Sequence, residues 1–108
     1  MPDVDYRALV SRADLIYHSP VETPLEGQPI GNGVMGTMVW TVPNAVCLQV
    51  NRCDIFAVDK YHEGRQGEAT DYCGGCAKVT VDLGGQPFQG GETFAQRLSL
   101  YDAECTIE

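Results

Sequence analysis

The stretch Val34-Met35-Gly36-Thr37-Met38-Val39-Trp40-Thr41, followed by Pro43-Asn44 and then by Ala45-Val46-Cys47-Leu48-Gln49-Val50, decides the fold of this chain. Its first half is rich in Met, Val and Trp, which suit a pleated, half-buried surface better than a helix. Pro43-Asn44 reads as a tight turn, because proline fixes φ and asparagine bonds to nearby backbone. In the second half Val46, Leu48 and Val50 fall on one side and Cys47, Gln49 and Asn51 on the other. That period of two is the period of a strand. The two halves predict an antiparallel hairpin.

Upstream, Ile30-Gly31-Asn32-Gly33 is a turn signal, with Gly31, Asn32 and Gly33 as candidates for positive φ. Residues 21–29 hold two prolines, a glycine and two glutamates and read as loop. Leu15-Ile16-Tyr17-His18 predicts a short strand stopped by Ser19-Pro20. The one helical pattern covers residues 5–14, where Tyr6, Leu9, Val10 and Ala13 recur at helical spacing. Downstream, the polar residues 57–72 predict a long exposed loop. Residues 78–83 alternate, with Val79, Val81 and Leu83 expected inward and Lys78, Thr80 and Asp82 outward. Gly84-Gly85 and Gly90-Gly91 bound a connector, and residues 93–101 alternate through Phe94, Leu98 and Leu100. Tyr101-Asp102-Ala103-Glu104 reads as a turn into a last strand, Cys105-Thr106-Ile107-Glu108, with no neighbour in view. An unpaired edge is something natural sheets avoid. The expected fold class is therefore mainly β, an antiparallel sheet with one short N-terminal helix. Either it belongs to a longer chain or it completes its sheet with a partner, self-association through the open edge included.

The chain has 108 residues, one domain's worth at most, and a formal net charge of -8. Its own field would repel nucleic acid and anionic membranes, so neither is expected as a partner. No window approaches the ~18 apolar residues of a membrane span, and no signal peptide is written at the start. The expected location is cytoplasmic. The five cysteines, Cys47, Cys53, Cys73, Cys76 and Cys105, are an odd set that fits reduced thiols in that compartment.

Cys73-Gly74-Gly75-Cys76 invites a redox or metal reading. A redox pair should open a helix, however, and strand-like residues follow. A zinc site needs four ligands, which Cys73 and Cys76 reach only by recruiting Cys47, Cys53, His18 or His62. A Gly-Gly turn flanked by thiols is the expected reading. His62, with Asp59, Glu63 and Glu68 nearby, has the residue types of an acid/base set but reads as solvated loop. Trp40 and Tyr101 have the faces that stack on sugars, although Trp40 ends an apolar strand and is expected in the core or at a domain interface. No cofactor is expected.

Three blocks, Gly27 through Trp40, Leu48 through Phe56 and Phe94 through Ile107, together resemble the N-terminal β-supersandwich domain of glycoside hydrolase family 95. The most specific is Gly27-Gln28-Pro29-Ile30-Gly31-Asn32-Gly33-Val34-Met35-Gly36-Thr37-Met38-Val39-Trp40. Arg52, Cys53 and Asp54 stand where the family more often has acidic residues and threonine. The resemblance implies a partial β-(super)sandwich over residues 15–108, behind a helical segment over residues 1–14. It implies that this domain packs on an (α/α)6 barrel. That barrel carries the two carboxylates that hydrolyse α-L-fucosides or α-L-galactosides with inversion, roughly 6.5–9.5 Å apart. It implies a place for Asn32 or Asn51 near a carbohydrate substrate and leaves this chain without a catalytic residue; Asp54 is a further substrate-binding candidate. The alternatives are a free-standing β module that binds a carbohydrate or a metal and, more weakly, a Cys-x-x-Cys oxidoreductase.

Overall fold

The computed structural model describes residues 3–59, 70–89 and 93–108. The chain is mainly β, with two antiparallel sheets and one short N-terminal helix. The helix α1 is Tyr6–Val10, followed by a 3-10 turn, Ser11–Ala13. Seven strands follow: β1 Leu15–Tyr17, β2 Gln28–Gly31, β3 Met35–Val42, β4 Ala45–Asp59, β5 Thr70–Asp82, β6 Gln96–Ser99 and β7 Glu104–Ile107. The larger sheet has the order β2-β3-β4-β5, a meander of sequence neighbours, and the smaller has the order β1-β6-β7.

The expected hairpin is β3–β4, with Val42 opposite Ala45 across Pro43-Asn44. Register decides the faces, because residues opposite one another point the same way. Gln28, Val39, Leu48 and Val79 share one rung, and Thr41, Val46 and Val81 share another on that same face. The smaller sheet lies against this face near Gln28, Val39 and Thr41, all buried. Trp40, Ala45 and Cys47 are buried on the opposite face.

The contact between the sheets is polar at its centre. Gln96 donates through Nε2 to Gln28 Oε1 (3.2 Å) and to the Val39 carbonyl (3.1 Å), and its Oε1 accepts from the Thr41 hydroxyl (3.1 Å). Gln28 Nε2 donates to the carbonyls of Leu15 (3.0 Å) and Gln96 (3.3 Å), and its Oε1 also accepts from the Cys105 thiol (3.3 Å). Gln28, Thr41 and Gln96 are each 0% exposed, and among the described residues no buried side-chain polar atom lacks a partner. A buried amide is tolerated only on such terms.

Several expectations are corrected. The helix is half its expected length, and Tyr6 and Leu9 stay 66% and 50% exposed. So short a helix makes few hydrogen bonds of its own. This N-terminal segment is held instead by Arg7 on Asp102 and Arg97 on Asp14. Residues 28–29, expected in a loop, begin β2; Pro29 is tolerated there because β2 is an edge strand. Gly31 lies in that strand, and Gly33 alone of the expected turn residues has positive φ, at 87°. Ala57–Asp59 and Thr70–Tyr72 extend β4 and β5 into the expected loop, whose remainder lies outside the described residues.

Cys73-Gly74-Gly75-Cys76 is no turn but part of β5. There β4 bulges, with residues 52–55 standing opposite Gly74 alone, because Asn51 pairs with Gly75 and Phe56 with Cys73. Val79, Val81 and Leu83 are exposed, since the smaller sheet covers the other end of the face. The last strand, β7, does have a neighbour, β6. The Cα radius of gyration is 18.0 Å, where a compact domain of about 100 residues has roughly 13 Å. The β4–β5 ribbon contributes to the spread: 15 strand residues at about 3.3 Å each span nearly the 52 Å of one of the two long axes.

Candidate functional site

The residues expected near a substrate gather at one end of the larger sheet. Asn32 and Gly33 form the β2–β3 turn. Asn32 Oδ1 accepts from the backbone N–H groups of Val34 (3.0 Å) and Met35 (2.9 Å), and the Asn32 N–H donates to the Met35 carbonyl (3.0 Å). The side-chain oxygen of Asn32 is thus spent on its own turn, as short polar side chains commonly do. Gly33 needs no space around it, only its positive φ. Gly31 is glycine for another reason: a Cβ there would stand 2.9 Å from the Met35 carbonyl oxygen and 3.1 Å from Gly36 Cα.

Asn51 occupies a rung whose other members are glycines. Gly31 is opposite Gly36, Gly36 opposite Asn51, and Asn51 opposite Gly75. On the face they share, Asn51 is the one side chain across four strands. The result is a shallow depression of about 340 Å³ lined by Gly31, Gly33, Val34, Gly36, Asn51 and Arg52 among others. On the opposite face lies an apolar depression of about 300 Å³, lined by Ile30, Met35, Thr37, Leu48 and Val50 among others.

Asp54 is gripped by Arg52 within the β4 bulge, with Nε to Oδ1 at 2.8 Å and a terminal guanidinium nitrogen to Oδ2 at 2.7 Å. The two-point contact pulls the Asp54 carboxyl below its ordinary value and raises the Arg52 guanidinium. Asp54 is therefore an anion at neutral pH and a poor proton donor. Asp14 is held low as well, chiefly by the Leu100 N–H (2.9 Å) and then by Arg97, but in the other half of the molecule.

The remaining candidates are dispersed. Cys53 and Cys76 are exposed, Cys47 is buried, and Cys105 is half-buried with its thiol pushed up by desolvation. All four are free thiols. Cys73 pairs with Phe56 along the backbone, and His18 is exposed just beyond β1. His62, Glu63 and Glu68 lie outside the described residues, and Asp59 is the last residue of β4. Among the described residues, no group of three or more His, Cys, Asp or Glu side chains gathers to hold a metal ion. Trp40 is 2% exposed, too buried to stack on a sugar, and the Tyr101 ring already carries Arg7, 4.7 Å from its centroid.

What the arrangement offers is a flat, glycine-floored patch with an amide and a neutralised guanidinium at its border. Such a surface can hydrogen-bond a neutral polyol, and the exposed Cys53 thiol also lines it. The sequence did not point to Gly36, Gly75 or Arg52 as part of this patch. Their register against Asn51 is the signal, and register is visible only once the strands are paired. No helix among the described residues is long and apolar enough to cross a membrane. Comparison with protein-family models, with curated proteins and with solved structures finds no match.

Proposed function

We propose that this chain is a non-catalytic β module of a glycoside hydrolase acting on α-L-fucosyl or α-L-galactosyl carbohydrates, packed against an (α/α)6 catalytic barrel outside these residues. The observation that carries the reading is the half-covered inner face of the larger sheet. Val46, Leu48 and Val50 line it, and Val79 and Val81 continue it at 42% and 46% exposure. A contiguous apolar patch on an otherwise acidic chain favours a role in docking. The sugar chemistry is supported by the resemblance of residues 27–40 and by the glycine-floored rung at Asn51.

The test is hydrolysis of aryl α-L-fucosides and α-L-galactosides. The 108 residues alone should show no turnover, and sustained, stoichiometry-exceeding release of the aryl group would overturn the proposal. A free-standing carbohydrate-binding module is the second reading, favoured by the depression beside Asn51. Calorimetry against neutral sugars decides it, and abolition of any binding heat by Asn51→Ala would favour it over the first.

A further inference from the structure

We propose that the outer edge of β5 is a self-complementary surface through which two copies of this chain pair, joining their larger sheets into one eight-stranded sheet. Among the described residues no strand pairs with that edge, although β5 runs for 13 residues. Edge strands in natural proteins are usually short, bulged away, interrupted by proline, covered or charged. Residues 77–82, Ala-Lys-Val-Thr-Val-Asp, are all exposed, hold no proline and pair with β4 in unbroken register, so charge is their one protection. Their two charges, Lys78 and Asp82, are opposite in sign and lie four residues apart on the same face.

That spacing selects the occupant. Antiparallel pairing of two β5 strands about Thr80 sets Lys78 against the partner's Asp82, and Asp82 against the partner's Lys78. On the other face it sets Val79 against the partner's Val81, so the apolar surface of each larger sheet continues across the joint. Thr80 meets its own copy. Shifting the pairing by two residues in either direction keeps the faces but places Lys78 opposite Thr80 or Gly84, and the charge match is lost. Opposite charges, Thr–Thr pairs and β-branched pairs are each favourable across an antiparallel joint. A two-fold axis at Thr80 uses the charge pair and the valine pair twice and the threonine pair once. Lys78 at present lies 5.8 Å from the Trp40 ring centroid, a long cation–π contact that an exposed ion pair can replace. The pairing uses the edge of the sheet and leaves its face open, so it does not depend on the function proposed above.

The test is sedimentation of the 108-residue chain from about 1 to about 500 µM, the range in which a weak edge pairing is resolved. A monomer–dimer equilibrium is expected. Lys78→Glu should raise the dissociation constant on the order of tenfold, since two attractive pairs become repulsive. The double variant Lys78→Glu/Asp82→Lys restores the match and should return most of the affinity. Asp82 Oδ1 also accepts from the Gly84 N–H at 2.9 Å, so the fold of each variant is checked by the emission of buried Trp40. In the unmodified chain, amide exchange should slow with concentration at β5 and at no other edge. A monomer throughout the range, a dimer indifferent to Lys78→Glu, or concentration-dependent protection at β2 or β7 instead would each overturn the proposal.

Discussion

Gln28 and Gln96, 68 residues apart, hydrogen-bond side chain to side chain at 3.2 Å between the two sheets, and neither has any exposed surface. Between them the two amides use both N–H groups of each and both oxygens, and reach the backbone or side chains of β1, β3 and β7. They act as a polar clasp in the place where a sandwich usually has leucine or valine.

Breaking the clasp should be costly. Gln96→Ala removes two donors and an acceptor and leaves the Val39 carbonyl and the Thr41 hydroxyl buried without their partner. A loss of about 2–6 kcal/mol is expected, at one to three per unsatisfied group. Urea titration followed by Trp40, the only tryptophan and 2% exposed, measures it. Gln28→Ala combined with Gln96→Ala should cost less than the sum of the single changes, because the two share a bond.

Asn32 is expected to behave as a turn residue. Asn32→Ala removes the acceptor for two backbone N–H groups and should destabilise by about 1–2 kcal/mol. Asn32→Asp keeps the acceptor oxygen and should be nearly neutral. Equal stability losses for the two variants in thermal melts would refute this role.

Acid should loosen the joint between the N-terminal segment and the smaller sheet. Asp14, 3% exposed at its side chain, is held below its ordinary value of 3.8 by Leu100 and Arg97. A carboxyl depressed on folding adds stability that is complete above the unfolded value and disappears as pH falls through the lower folded value. Stability should hold from pH 7 to about 5 as far as Asp14 and Asp54 are concerned, then fall below about pH 4. Asp14→Asn should flatten that acid limb in a pH series of urea midpoints, and an unchanged slope would assign the acid sensitivity elsewhere.

Thiol chemistry should separate by burial. Cys53 and Cys76 are exposed and should react with iodoacetamide first. Cys47 is buried, and Cys105 is half-buried, donates to Gln28 and has its ionisation pushed up by desolvation. Both should lag until urea opens the sheets. Peptide mapping of the alkylated chain gives the order.

The hairpin of β3 and β4 was legible because its alternation and its Pro43-Asn44 turn agree. Strands β1, β6 and β7 were legible in place but not in partnership. What the sequence concealed has physical causes. Pro29 marks a loop until one knows that β2 is an edge, where a missing N–H costs little. Cys73-Gly74-Gly75-Cys76 resembles a turn until the bulge over residues 52–55 supplies it with a strand partner. Gln28 and Gln96 look like surface residues by type, yet Gln96 is in phase with Phe94 and Leu98, and that phase was the available sign of burial. Of the candidate site, Asn32 and Asn51 do lie at one end of one sheet. Asp54 is tied to Arg52, a pairing two residues apart that the bulge allows.

The two sheets also differ in when they can form. The larger is a meander whose strands meet their sequence neighbours, whereas the smaller joins Leu15 to Leu98 and Leu98 to Cys105. Local contacts form early, and contacts that close a loop of 83 residues must first overcome its entropy. On this ordering the larger sheet forms before the smaller one docks, and Gln28, Val39 and Thr41 face water until β1, β6 and β7 cover them. The polar clasp suits that interval: glutamine and threonine tolerate the wait in solvent better than leucine would, and a face that stays partly wettable is less apt to stick to its neighbours before it is covered.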